Sequence, residues 1–189
     1  MMVMGWFVRG WLKMAAKEVQ EKITELLKNI FNEVNKEWNA AKNSQDDYNR
    51  KIYCPRLDIA IGPFNINRNF QDREKILQSI KSKKKIIDKI CKEGHLLEFP
   101  LKNNNNPRCA IAIEIEYSGS RKHMLGDITN ASILGGIGII VAVGNKKLKQ
   151  FVKMKGYIDF AVKNEKIKPI FNNIVIIGSE DLIKILEKK

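Results

Sequence analysis

Nitrogen and sulfur ligands are scarce in this chain of 189 residues, which has two histidines, His95 and His123, and three cysteines, Cys54, Cys91 and Cys109. The cysteines are odd in number, scattered and set in apolar surroundings, and no C-x-x-C occurs. Neither a disulfide framework nor a structural zinc site is therefore expected. The thiols read as small buried hydrophobes of a reducing, cytoplasmic compartment. Long apolar runs are missing as well. The opening MMVMGWFVRGWLKMAAK is too short to cross a bilayer and is interrupted by Arg9 and Lys13. It lacks a signal-peptide core with a cleavage site, so residues 1–13 are expected to be a frayed extension of the first helix, with no membrane partner. Acidic residues are in deficit, 21 Asp and Glu against 34 Lys and Arg, for a net charge of +13. That imbalance favours a polyanionic partner.

The positive charge is localised. Residues 68–92 hold nine Lys and Arg against three acids, and residues 146–168 hold eight against two. This pattern suggests two basic walls flanking a phosphate backbone, with Lys83, Lys84, Lys85, Lys146 and Lys147 among the contacts. With 44% hydrophobic residues the chain has enough apolar content for a core, and its length suits one domain over 1–189.

Hydrophobic periodicity predicts a long amphipathic helix over 14–43, with Val19, Ile23, Leu26, Leu27, Ile30 and Val34 on one stripe. Glu37 falls within that stripe and Glu33 at its edge, so Glu37 is aimed either at a polar site or at a fraying helix end. KIYCPRLDIAIGPF, 51–64, reads as a strand before a Gly-Pro turn. A basic helix is expected over 69–93 and a short strand at LLEFPL, 96–101. KNNNNP, 102–107, reads as a turn or mobile loop, and the whole stretch 65–107 as an insertion. CAIAIEIEY, 109–117, is a strand and 118–136 a loop entering a helix with Ser120 as N-cap. IGIIVAV, 137–143, suits a strand buried on both faces. A basic helix over 145–165, a strand over 173–178 and a last helix capped by Ser179 complete an α/β order.

The E-x-E pair is the most informative feature. Residues i and i+2 of a strand share a face, so Ala110, Ala112, Glu114 and Glu116 lie together. Two neighbouring acids repel and lose solvation in a core, and a cation between them relieves both costs. Asp58 sits in the same way among Cys54, Arg56 and Ala60. Asp is disfavoured inside strands. Asp58, Glu114 and, from the first helix, Glu37 form an all-oxygen set suited to Mg2+ or Mn2+. Beside a basic surface, such a set points to phosphodiester hydrolysis. His123, Asp127 and Asn130 share one helix face and read as a hydrogen-bonded cluster, with DNA contact or dimer packing as alternatives.

P-R-L-D ending at Asp58, and I-E-I-E giving Glu114 and Glu116, together with the order of elements, resemble the PD-(D/E)-x-K nuclease superfamily over roughly residues 15–178. The resemblance implies a restriction-endonuclease-like three-layer core, a central mixed sheet flanked by helices, here with an inserted basic helix. It implies a Mg2+-dependent DNA endonuclease acting on double-stranded DNA, by analogy as a homodimer. In this reading Asp58 and Glu114 bind metal and Glu116, standing where the family has lysine, handles the attacking water. Lys122 or Arg121 supplies the missing cation. Glu98 competes with Asp58 for the first acid, because the gap to Glu114 is long and contains a helix. Two other readings stand beside it. One is a non-catalytic nucleic-acid-binding protein with a degraded site. The other is an interaction protein whose basic helices meet RNA or an acidic partner.

Overall fold

The computed structural model describes residues 16–43, 53–66, 70–96, 102–168 and 171–188. Residues 1–15, on which the N-terminal reading rests, and Glu98 lie outside the described residues. Along the chain come α1 (Ala16–Lys28), β1 (Val34–Asn39), a 3-10 turn (Ala40–Asn43), β2 (Arg56–Phe64), α2 (Phe70–Ser82) and α3 (Lys84–Glu93). They are followed by β3 (His95–Leu96), β4 (Cys109–Glu116), α4 (Arg121–Leu134), β5 (Gly135–Ala142), α5 (Asn145–Lys163), β6 (Ile174–Gly178) and α6 (Ser179–Glu187).

The strands form one mixed sheet in the order β1-β2-β4-β5-β6-β3. Its β1, β2 and β4 are antiparallel, while β4, β5 and β6 run parallel. Parallel neighbours need crossovers, and α4 and α5 supply them. Their Met124, Ile128, Phe151 and Ile158 pack on one sheet face with Ala60, Ala112 and Ile140. On the other face α1, α2, α3 and α6 bury Ile23, Ile76, Ile87 and Leu182 against Ile59, Ile113 and Ile139. The result is a three-layer α/β arrangement. As its apolar run predicts, β5 is buried along its whole length.

Several expectations are corrected. The helix predicted over 14–43 stops at Lys28, and Val34–Asn39 is instead an edge strand with Val34 opposite Ile61. Asn29 and Asn32 in the turn favour leaving a helix, and β2 offers backbone hydrogen bonds that a continued helix would forgo. The single helix predicted over 69–93 is two helices broken at Lys83, whose carbonyl accepts from the N–H groups of Ile86 and Ile87. The break lets both isoleucine pairs, Ile76/Ile80 and Ile87/Ile90, reach one core. The stretch 65–107 also supplies β3, paired with β6. The asparagine run is a brace: Asn104 Nδ2 donates to the carbonyls of Ser132 and Ile133, and its N–H to Gly136. Ser179 begins α6 and Gly178 occupies the N-cap position. At the start of β4, Cys109 joins the α4 side and Ala110 the α1 side, where the β2 ladder shifts register.

One close approach positions the functional residues. A Cβ built on Gly138 of β5 would lie 3.0 Å from Ala131 Cβ. Glycine there lets α4 settle onto the sheet and brings its inner face over the end of β4.

Candidate functional site

Ile59 pairs with Ile113 and Ala60 with Ala112, so Asp58 is the next residue along β2 as Glu114 is along β4. At this point the side chains replace the ladder. Asp58 N–H donates to Glu114 Oε2 at 3.2 Å, and Ile115 N–H donates to Asp58 Oδ2 at 2.7 Å. Each carboxylate thus brackets the other strand's backbone. Glu114 is buried, 5% exposed, and its Oε1 lies 3.5 Å from Asn130 Nδ2 of α4.

Glu116, one step further along the same face, is held by the turn that follows it. Its Oε1 accepts from Gly119 N–H, and the backbone of Gly119 comes so close that a Cβ there would collide with the Glu116 carboxylate. A side chain at that position would push the Glu116 carboxylate out of its present place. The carbonyl of Gly119 in turn accepts from Lys147 Nζ at 2.7 Å. Lys147, in the first turn of α5, is 7% exposed, and a buried ammonium of this kind needs such partners. From α4, Asp127 meets Glu116 carboxyl to carboxyl, and its buried Oδ2 has no hydrogen-bond partner.

The electrostatics are those of crowded acids. Burial, then the charge of Asp58, pushes the Glu114 carboxyl up to about 8. Burial, then Glu116 and Asp58, pushes Asp127 up to about 7, while Lys147 pulls it down. Asp58 is raised mainly by burial, against the lowering effect of the Ile115 N–H. Three raised carboxyls in one place mean that the site holds more negative groups than it can keep ionised.

The expected site residues are divided by the fold. Asp58, Glu114 and Glu116 come together on adjacent strand ends, joined by Asp127 and Asn130. The sequence placed those two on one helix face without connecting them to the E-x-E pair. Glu37 is not on a helix stripe. It lies in β1 with φ 50°, exposed, paired with Arg56 Nε at 2.8 Å. Gln20 Nε2 bridges it to the Asp58 carbonyl, donating to Glu37 Oε1 at 2.9 Å and to Asp58 O at 3.0 Å. Arg121 and Lys122 begin α4 at the acid end and are exposed, as is Lys146. Lys147 turns inward to Gly119 instead of outward to a phosphate.

The second basic stretch does not face the first. Lys83 sits over the Phe31 ring at 5.7 Å, beyond the C-terminal end of α1, whereas Gln20 near the start of α1 contacts Asp58. Gln20 lies eight residues before the end of α1 at Lys28, a helical rise of about 12 Å, and Phe31 lies three residues beyond that end. Lys84 is paired with Asp88 at 2.6 Å, and Lys85 stands beside it on α3. The basic helices α2–α3 and α5 therefore occupy opposite faces of the sheet, and the two walls inferred from charge do not form one groove. Lys83 and Lys75 instead line a separate cleft of about 490 Å³, with Phe31, Glu33, Gly62 and Ser79, that includes none of the clustered acids.

The donor set is all oxygen, crowded and raised in pKa, which is the chemistry a hard divalent cation satisfies. Among the described residues, no group of three or more His, Cys, Asp or Glu side chains is already arranged around one cation position. The cysteines contribute nothing here; burial pushes the Cys109 thiol far above its usual range, so it is no nucleophile. Among the described residues, no helix is long and apolar enough to cross a membrane. Protein-family profiles, characterised proteins and solved structures give no significant match to the chain.

Proposed function

We propose that this chain is a divalent-cation-dependent nuclease that hydrolyses phosphodiester bonds at the Asp58–Glu114–Glu116 cluster, on a restriction-endonuclease-like arrangement. The observation that carries the reading is the reciprocal bracket of Asp58 and Glu114 on splaying strand ends, with two further acids beside it. Asp58 and Glu114 would hold the cation. Bound there, Mg2+ or Mn2+ would supply Lewis-acid polarisation of the scissile phosphate and of the attacking water.

The rest belongs to the chain's own groups. Asp127, raised to about 7 and meeting Glu116, is able to take up or release a proton near neutral pH, while Glu116 is held by Gly119. Lys147 stands behind that pair as a positive charge that lowers the Asp127 pKa, in the role expected of Lys122 or Arg121. Arg121, Lys122 and Lys146 are exposed at the same end of the sheet as the acids, and α4 and α5 both begin there with no acid in their first turns. Helix N-termini and exposed cations together suit the phosphates flanking a scissile bond.

One observation favours the non-catalytic alternative. Both oxygens of Glu114 already have partners inside the fold, which is what a structural brace requires. Incubation of plasmid DNA and oligonucleotides with Mg2+ or Mn2+ separates the two. Cleavage that stops with a chelator, and that a folded Glu114→Gln variant lacks, supports the nuclease. A folded wild-type protein that cuts with neither metal, or a Glu114→Gln variant that cuts as fast as wild type, overturns it.

A further inference from the structure

We infer that nucleic acid reaches the acid cluster as an unpaired strand, with its bases stacking on Tyr117 and Tyr53. This rests on the nuclease reading and narrows its substrate.

Tyr117 follows Glu116 directly at the end of β4 and is 43% exposed; Tyr53 precedes β2 by three residues and is 86% exposed. Because β2 and β4 are antiparallel, the start of one and the end of the other lie at the same end of the sheet, where Asp58 and Glu114 also sit. Two aromatic rings thus stand open to water at the end of the sheet that carries the cluster. The same end carries the exposed side chains of Arg121, Lys122 and Lys146, and of Arg56, which is paired with Glu37. Rings interleaved with cations form a surface that holds bases by their faces and phosphates by charge, tolerant of sequence. A paired base has both faces covered by its neighbours in the helix. A ring in this position is useful only to a base that is out of the stack.

The distribution of charge points the same way. A duplex presents two backbones, and both are best neutralised by basic walls on either side. Here the second basic stretch is on the opposite face of the sheet, with Lys83 at the far end of α1 over Phe31. The acid end has a single basic rim, which matches a single backbone.

The test is fluorescence anisotropy with labelled oligothymidylate and oligouridylate of about twenty nucleotides, against a mixed-sequence duplex of equal length, in chelator so that nothing is cut. The single strands should bind about tenfold or more tightly than the duplex. Tyr117→Ala should weaken single-strand binding about tenfold and leave duplex binding unchanged, while Tyr117→Phe keeps wild-type affinity. Tyr117 is at the surface, so its loss should not unfold the chain, and circular dichroism checks this. Duplex binding equal to or tighter than single-strand binding overturns the inference, as does an unchanged affinity in Tyr117→Ala. If the duplex is bound equally and cut with Mg2+, the nuclease reading survives alone. Preferential single-strand binding without cleavage of any substrate leaves this inference standing and removes the nuclease.

Discussion

Asp58 and Glu114 hold each other's backbones: the N–H of Asp58 donates to Glu114 Oε2, and Asp58 Oδ2 accepts from the residue just after Glu114. Neither side chain can be moved without loosening the strand end of the other. Stability and chemistry are therefore coupled at this point of the sheet.

The coupling has a sign. Unfolded, Glu114 ionises at its ordinary value of 4.5; folded, at about 8. Between those values the folded chain holds the extra proton, so raising the pH through that window removes stability. The loss is of the order of a few kcal/mol. In chelator, Tm should fall between about pH 5 and pH 8, and Glu114→Gln should flatten the fall and raise Tm at the upper end. A Tm that climbs over this range would contradict the crowding of the acids. Asp127→Asn should remove a second, lower portion of the slope, since Asp127 moves from 3.8 to about 7 in the same direction.

A cation should reverse that loss. Above the folded pKa values, millimolar Mg2+ or Mn2+ is expected to raise Tm in proportion to the logarithm of its concentration. Asp58→Asn combined with Glu114→Gln should remove the response. A calorimetric titration of the wild-type chain that shows no heat, together with a flat Tm, would mean that the acids are structural.

Lys147 acts through Gly119 and Asp127. Replacing it with Met strips a donor from the Gly119 carbonyl, at a cost of about 1–3 kcal/mol, and removes the charge that holds Asp127 down. The acidic limb of the pH–rate profile should move to higher pH in Lys147→Met and return part of the way in Lys147→Arg. A lowered Tm with an unmoved limb would make the lysine a packing element only.

The two basic stretches should differ in their response to salt. Binding of nucleic acid is expected to weaken with salt on a log–log slope set by the phosphates neutralised. Removing Arg121 and Lys122 together should reduce the slope by roughly 1.4–1.8. Removing Lys83, Lys84 and Lys85 should leave it unchanged, because they lie on the other face and at the other end. Equal effects would restore the single groove inferred from charge alone.

The strands around Asp58 and the E-x-E pair were legible because period-2 alternation and an acid in an apolar run are local signals. The end of the first helix was not. Val34 falls on the helical stripe by coincidence of spacing, and only the open edge of β2 decides that it belongs to a strand. Glu37 was misplaced for the same reason. Asp127 could be grouped with His123 and Asn130 by helical spacing, but its meeting with Glu116 depends on how closely α4 lies on Gly138. Lys147 was hidden in a basic run, since nothing in N-K-K-L-K tells a buried lysine from a solvated one. The separation of the two basic stretches is a property of topology, which charge counts do not contain.

The bracket at the strand ends also makes the backbone a reporter. The amides of Asp58 and Ile115 are bonded to carboxylate oxygens, so their protection from hydrogen exchange is lent by side chains and not by a neighbouring strand. A cation drawing on those oxygens competes with the amides for the same lone pairs. Two residues next to each other in space would then lose protection while the rest of the molecule gains it, and occupancy of the site could be followed at those two amides without any substrate present.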